Sequence, residues 1–170
     1  MDGNREDRTD TVSLFNGPPP RIELHGDEEV EMDAVAEWLA ARAEEGAELD
    51  TIGVFVRSER ELPRAKAAVE RAGLEMGRLD EHMSVPTGHV SVGTMHLAKG
   101  LEFGVVAVMA CDDEVIPLQE RIEAIGDEAD LQEVYDTERH LLYVACTRAR
   151  DHLLVTGVDP GSEFLEDLEV

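Results

Sequence analysis

Two uninterrupted apolar runs constrain the fold of this chain more than any other feature. TIGVFVRS spans residues 51–58 and VVAVMACD spans residues 105–112, and both are rich in β-branched side chains. Neither run has the alternation of apolar and polar residues that marks a strand with one wet face. Strands of this composition are buried on both faces, as in the centre of a parallel sheet. The two runs therefore predict a sheet covered by helices on both sides.

Segments with helical periodicity alternate with strand-like segments along the chain. The expected strands are residues 21–26, 51–58, 89–96, 105–112 and 152–157, and the expected helices are residues 28–45, 59–72 and 127–146. Because parallel neighbours need crossover connections, this alternation predicts an α/β fold. In the first helix, a buried stripe is expected from apolar residues at helical spacing, namely Val30, Ala34, Val35, Trp38 and Leu39.

The length of 170 residues allows one compact domain with less ordered ends. Residues 1–20 are polar and end in three prolines, which predicts a flexible leader that runs into a stiff linker. We expect the folded domain to span residues 21–158. The acidic residues 159–170 are expected to form either a frayed tail or a capping helix.

The charge of the chain limits its partners. It carries 39 acidic and 15 basic residues, which gives a formal net charge of −24. Nucleic-acid binding draws most of its affinity from Lys and Arg side chains that neutralise phosphates. This balance excludes a general nucleic-acid-binding surface, and any contact with DNA or RNA must be local.

The cysteines and the apolar content indicate the cellular compartment in which the chain is expected. Cys111 and Cys146 lie far apart without C-x-x-C spacing, so we expect two buried thiols and neither a disulfide framework nor a zinc site. No apolar run approaches the ~20 residues of a membrane span, and the polar N-terminus lacks a signal sequence. We therefore expect a cytoplasmic protein without a membrane partner.

The segment GTMHLAKGLEFG, residues 93–104, concentrates groups that suit a phosphate-rich partner. Thr94 offers a hydroxyl, His96 a ring donor and Lys99 a cation, while two glycines let the backbone approach a ligand closely. Glu102 either forms a surface ion pair with the neighbouring lysine or accepts hydrogen bonds from a ribose hydroxyl. We expect this segment at the carboxyl ends of the strands, where the functional loops of such sheets lie.

The segment DTERHLLYVACTRARDHLLV, residues 136–155, predicts a helix that ends in two arginines beside a strand. Arg148 is a candidate anion clamp, because its planar, permanently charged guanidinium can span two phosphate oxygens. On spacing alone an alternative remains, in which Arg148 and Arg150 offset the dipole at the helix C-terminus and the neighbouring acids.

These two segments resemble motifs V and VI of UvrD/Rep-type superfamily 1 DNA helicases. GTMHLAKGLEF is similar to T-x-H-x-x-K-G-L-E-W/F, and TERHLLYVACTRAR is similar to E-E-R-R-L-x-Y-V-A-x-T-R-A. They occur in the family's order, about forty residues apart. The resemblance covers roughly residues 21–158 and implies the second RecA-like motor domain, a P-loop NTPase-like parallel sheet with helices on both faces.

The resemblance implies nucleotide-binding roles for individual residues. Arg148 would be the catalytic arginine finger that reaches ATP bound by the first motor domain and stabilises charge on the transferring phosphoryl group. Glu102 would face the ribose, and Arg139, with Glu138, would hold the helix that carries Arg148. The implied nucleotide-binding set is Gly100, Glu102, Arg139 and Arg148.

The resemblance also implies a nucleic-acid contact and a protein partner. Thr94 and His96 would touch the backbone of single-stranded DNA, and Lys99 would couple that loop to the nucleotide site. The partner would be the first motor domain, in the same full-length chain or in a separate subunit.

The chain departs from a complete motor in one respect. It contains no G-x-x-x-x-G-K-[ST] loop, so the phosphate cradle and the Mg²⁺ ligand would belong to the first motor domain. Asp112, Asp113 and Glu114 follow a strand and are expected to be solvated carboxylates, not metal ligands. We expect that this chain alone does not hydrolyse ATP. The alternative function is a non-catalytic adaptor that keeps the motor fold and interacts through its acidic surface.

Overall fold

The computed structural model describes residues 18–80, 82 and 87–168, so most of the predicted leader lies outside the described residues. Six strands form one sheet in the order β1-β6-β5-β2-β4-β3, and every neighbouring pair is parallel. The strands are β1 (Arg21–His25), β2 (Ile52–Val56), β3 (Met76–Arg78), β4 (Val90–Thr94), β5 (Phe103–Val108) and β6 (Ala149–Val158). The prediction of a RecA-like α/β fold with a parallel sheet is confirmed.

Helices cover both faces of the sheet. They are α1 (Glu28–Glu44), α2 (Leu62–Arg71), α3 (Gln119–Glu123) and α4 (Glu128–Thr147). Alternate residues of the central strands enter two separate cores: Val54 and Ala107 pack with α1 and α2, whereas Phe55 and Val106 pack with α4. Each central strand is therefore apolar throughout, because each of its faces meets a helix layer. No helix in the described ranges has the length and apolar content needed to span a bilayer.

The buried stripe of α1 differs from its prediction at the first turn. Val30 is 48% exposed, and the inward position next to it is taken by Glu31, which is fully buried. The Asp27 side chain caps the helix by accepting a hydrogen bond from the Val30 N–H, and this bond fixes the position of the first turn. Glu31 is tolerated inside because Arg64 and the Thr156 hydroxyl donate hydrogen bonds to its carboxylate.

The acidic tail packs against the domain. Residues Glu163–Asp167 form a short 3-10 helix in which Phe164 and Leu165 are buried. The Phe164 ring meets Tyr135 of α4 edge to face, and the Arg139 guanidinium lies 4.9 Å from its centroid. Of the two alternatives for the tail, the short capping helix is the one found.

Candidate functional site

A cleft of about 1090 Å³ opens at the carboxyl ends of β2, β3 and β4. Its wall includes Thr94 and His96, which the sequence predicted to act together. Arg57, at the end of β2, Arg60, in the following turn, and Arg78, at the end of β3, also line it. Three acidic residues line the same cleft, and each of the three arginines is paired with a glutamate.

Arg57 is held in the cleft wall by a buried carboxylate. Its guanidinium donates two hydrogen bonds to Glu138 of α4, at 2.8 and 2.6 Å. The Leu118 N–H and Arg121 also donate to this carboxylate, at 2.7 and 2.9 Å. Burial alone would raise the pKa of Glu138, but the hydrogen bonds from Arg57, Leu118 and Arg121 outweigh it and lower the pKa below its ordinary value. Glu138 is therefore ionised and fastens α4 to the end of β2.

His96 stands exposed on the short 3-10 helix Met95–Ala98 that follows β4. Partial burial of the ring, followed by the positive charge of Arg57, lowers its pKa from the ordinary value. His96 is consequently neutral at pH 7 and meets a ligand there as a hydrogen-bonding group, not as a cation.

The segment that carries Thr94 and Glu102 crosses from one edge of the sheet to the other. Thr94 ends β4 at the carboxyl edge, whereas Phe103 begins β5 at the amino edge. The register of β4, β2 and β5 separates these two levels by about six residues, or roughly 20 Å. Only the first part of the segment lies at the carboxyl ends, so the prediction that all of it lies there is wrong. The physical reason is that a parallel neighbour must start at the opposite edge.

Arg148 lies at this second place, at the end of α4 and beside the amino ends of β5 and β6. Its guanidinium donates hydrogen bonds to the carbonyls of Val144, at 3.1 Å, and Leu101, at 3.3 Å, and to the Thr147 hydroxyl, at 3.3 Å. The bond to Val144 matches the alternative in which Arg148 offsets the helix dipole. The bond to Leu101 ties the side chain to the loop of Glu102.

Arg148 is distinguished by its lack of an acidic partner. Among the residues that the structure describes, every other arginine has a carboxylate oxygen within ion-pair distance, and Arg148 has none. Its partners are neutral oxygens, so its positive charge is not compensated locally.

The loop beside Arg148 brings Gly100 and Glu102 to the same edge. Glu102 is exposed, and its ion-pair partner is Arg150, at 3.7 Å, not the neighbouring Lys99. Gly100 has a φ of 83°, a left-handed conformation that favours glycine. Lys99 is exposed on the same turn. Gly100, Glu102 and Arg148 therefore surround one stretch of surface.

Arg139 lies elsewhere on α4. It donates hydrogen bonds to Asp167, at 2.9 Å, and Asp136, at 3.4 Å, and covers the Phe164 ring. It lies nine positions before Arg148, which amounts to about 13.5 Å along the axis and two and a half turns. The two arginines thus point from opposite sides of the helix, and Arg139 fastens α4 to the tail.

Asp112 differs from its expectation as a solvated carboxylate. It accepts hydrogen bonds from two nitrogens of Arg64, at 2.9 and 3.0 Å, and from the Val158 N–H, at 2.7 Å. Arg64 reaches Glu31 at the same time, so one arginine joins α1, α2 and the end of the sheet. The Asp112 side chain is hydrogen-bonded because the carboxyl ends of β5 and β6 lie next to each other. No cluster of three or more potential metal ligands occurs within residues 18–80, 82 and 87–168.

The arginines of the cleft were not recognised in the sequence. Arg57 and Arg60 directly follow the apolar run of β2, and Arg78 ends a three-residue strand. A charged residue immediately after a fully buried parallel strand is the signal that points to Arg57, because such strands end at the functional edge. Nothing comparable marks Arg78, since its strand is too short to show a pattern.

Comparison with known proteins bears on the whole domain. Residues 66–159 match the UvrD-like helicase C-terminal domain. "Putative ATP-dependent DNA helicase YjcD" of Bacillus subtilis (strain 168) is 37% identical over 131 residues, which are 71% of this chain and 16% of that protein. "ATP-dependent DNA helicase UvrD1" of Mycobacterium leprae (strain TN) is 34% identical over 113 residues, 60% of this chain and 14% of that protein.

A solved structure of similar fold is the C-terminal domain of a possible DNA helicase from Lactobacillus plantarum WCFS1. The TM-score is 0.64 at 24% sequence identity, and the alignment covers 94% of this chain and 88% of that one. This likeness supports the fold, while the sequence match covers more than half of the 170 residues. The chain belongs to the family of UvrD-like helicase C-terminal domains.

Proposed function

We propose that this chain is the second motor domain of an ATP-dependent DNA helicase or translocase. It supplies Arg148 to ATP held by a first motor domain, which belongs to the same polypeptide or to a partner subunit. It contacts single-stranded DNA through Thr94, His96 and Lys99. Closure of the two motor domains around ATP, and their reopening after hydrolysis, would shift the DNA-contacting segment relative to the other half.

The observation that carries this proposal is the uncompensated charge of Arg148. Within the described part of a chain that has 39 acidic residues, each of the other arginines is matched by a carboxylate. A guanidinium bound by neutral oxygens keeps its attraction for an anion supplied from outside. Positive charge of this kind stabilises a phosphoryl group as negative charge spreads over its oxygens during transfer.

The residues near Arg148 suit one end of a nucleotide but do not form a complete nucleotide-binding site. The exposed Glu102 carboxylate can accept hydrogen bonds from a ribose, and the turn at Gly100 brings backbone to the same surface. ATP, when bound, supplies the phosphoryl group that is hydrolysed, and Mg²⁺ would be held by the first motor domain. Arg139 would contribute indirectly, by holding α4 against the tail.

The cleft supports the contact with single-stranded DNA. It places arginine side chains, each paired with a glutamate, beside the Thr94 hydroxyl and the His96 ring. Since Thr94 and Glu102 lie at opposite edges of the sheet, DNA and ATP can be bound at the same time. The segment between them, which includes Lys99, links the two places physically.

The test is ATP hydrolysis by the chain together with its first motor domain. We expect Arg148→Ala to leave ATP binding intact and to lower the rate of hydrolysis by about 10³-fold or more. Arg150→Ala is the matched control, because Arg150 is two residues away but is already paired with Glu102 and Asp151. Wild-type hydrolysis by the Arg148→Ala variant would reject the arginine-finger role. An absence of hydrolysis in the wild-type pair would favour the adaptor.

A further inference from the structure

Two arginines at the rim of the cleft are each held by an exposed glutamate. Arg60 donates to Glu120 of α3 at 2.6 Å, and Arg78 of β3 donates to Glu59 in the turn after β2. The side chains are exposed by 75% for Arg60, 64% for Glu120, 53% for Arg78 and 74% for Glu59. Both pairs connect separate walls of the cleft and face solvent.

These pairs differ from the third arginine of the cleft in how easily they open. Arg57 is 4% exposed, and its partner Glu138 is fully buried and satisfied by three donors, so separating them leaves a buried charge. Exposed ion pairs contribute little to stability, because water solvates both partners when they part. Arg60 and Arg78 can therefore exchange partners without disturbing the fold.

A phosphodiester is a suitable replacement for each glutamate. Its two free oxygens present a guanidinium with the same acceptor geometry as a carboxylate. Thr94 and His96 line the same cleft as both arginines, so a strand bound in the cleft can meet all of them. A strand offers several phosphates to the two arginines at once, whereas a single small anion can release only one of them.

We propose that Arg60 and Arg78 are further phosphate-binding residues of the cleft and that Glu120 and Glu59 are built-in competitors for them. The ligand is a single-stranded nucleic acid, so this inference rests on the proposed function of the cleft. In the free protein each glutamate occupies its arginine, and a strand binds by displacing both carboxylates. The competition lowers the affinity for short or weakly charged ligands and favours a continuous polyanion.

The experiment measures the binding of a fluorescent oligothymidylate to the chain at low ionic strength. We expect Glu120→Gln and Glu59→Gln each to tighten binding about twofold to fivefold, the range set by the coupling of exposed ion pairs. Glu37→Gln is the matched control, because Glu37 is an exposed residue of α1 and its replacement changes the net charge equally. The control should alter binding much less.

A double-mutant cycle separates local competition from general charge. The gain from Glu120→Gln should disappear in an Arg60→Ala background and persist in an Arg78→Ala background, and the reverse should hold for Glu59→Gln. Equal gains in both backgrounds, or a gain no larger than that of Glu37→Gln, would overturn the proposal.

Two further outcomes distinguish this inference from the proposed function. If the Glu59→Gln/Glu120→Gln double variant does not bind the oligonucleotide at low salt, the competition is refuted together with the strand contact of the cleft. The role of Arg148 in hydrolysis is measured independently and is untouched by that result. If Thr94→Ala weakens binding but the glutamate variants leave it unchanged, the cleft binds the strand without the competitors, and only this inference fails.

Discussion

Arg57 and Glu138 form a buried, bidentate ion pair that joins the carboxyl end of β2 to the middle of α4. The two residues are 81 positions apart in the chain, so the pair closes a large part of the fold. It also sets the back wall of the cleft that carries Thr94 and His96. Its integrity is thus a condition both of stability and of the shape of the candidate DNA site.

Replacing Glu138 by Gln should destabilise the domain strongly. The variant leaves the Arg57 charge buried without a carboxylate, and breaking such a pair costs about 3–5 kcal/mol. The free energy of unfolding in urea measures the loss. Glu133→Gln is the control, because Glu133 lies exposed on the same helix, and it should change stability by less than about 0.5 kcal/mol. A similar, small effect of both variants would show that the Arg57–Glu138 pair contributes little.

The same pair predicts a pH dependence of stability. The pKa of Glu138 is lower in the folded state than its ordinary value of 4.5, so the unfolded chain takes up the proton first as the pH falls. Its stabilisation is fully present above pH 4.5 and is lost as the pH falls through the folded pKa. The difference in unfolding free energy between wild type and Glu138→Gln should therefore shrink below about pH 4.5. A difference that stays constant down to pH 3 would contradict the assignment.

The fold was largely predictable from the sequence, because the strands in its centre carry their own signature. The β2 and β5 runs are apolar at every position since each face meets a helix layer, and this continuous apolar pattern is visible in the sequence. The three-residue strand β3 is too short for periodicity to distinguish a strand from a turn. Glu31 takes the buried position expected for Val30 because Arg64, 33 residues further on, pairs with it, and no local sequence pattern predicts a contact over that separation.

The sequence singled out candidate site residues but not their arrangement in space. Thr94 and His96 line one cleft, whereas Arg148 donates a hydrogen bond to the carbonyl of Leu101, the neighbour of Glu102, at the opposite edge. The functional roles of these residues stay predictions. The roughly 20 Å between the two places follows from strand register, which the sequence does not state. Arg57, Arg60 and Arg78 were missed because their partners lie on other elements.

Both cysteine thiols should be unreactive in the native protein. Burial raises the pKa of Cys146 to about 12, and burial, with the nearby Cys146 thiol, raises the pKa of Cys111 well above its ordinary value. At pH 8 neither thiolate forms, so a disulfide reagent such as DTNB should label no thiol in buffer and two in denaturant. The exposed substitution Thr147→Cys should add one thiol that reacts immediately. Rapid labelling of the wild-type native chain would contradict this packing.

Binding of single-stranded DNA should tighten on acidification through His96. Burial and the positive charges of Arg57 and Arg121 lower its pKa, with Glu138 opposing them, so His96 is neutral at pH 7 and becomes a cation only below its ordinary value of 6.5. A phosphate favours the protonated ring, and affinity should rise as the pH falls from 7 to 5, by several-fold for one added phosphate contact. His96→Gln should keep the neutral-pH affinity and lose this rise, as measured by fluorescence anisotropy. His140→Gln is the control, because His140 is exposed on α4 outside the cleft, and it should retain the pH dependence. If both variants respond to pH as the wild type does, His96 does not contact the strand.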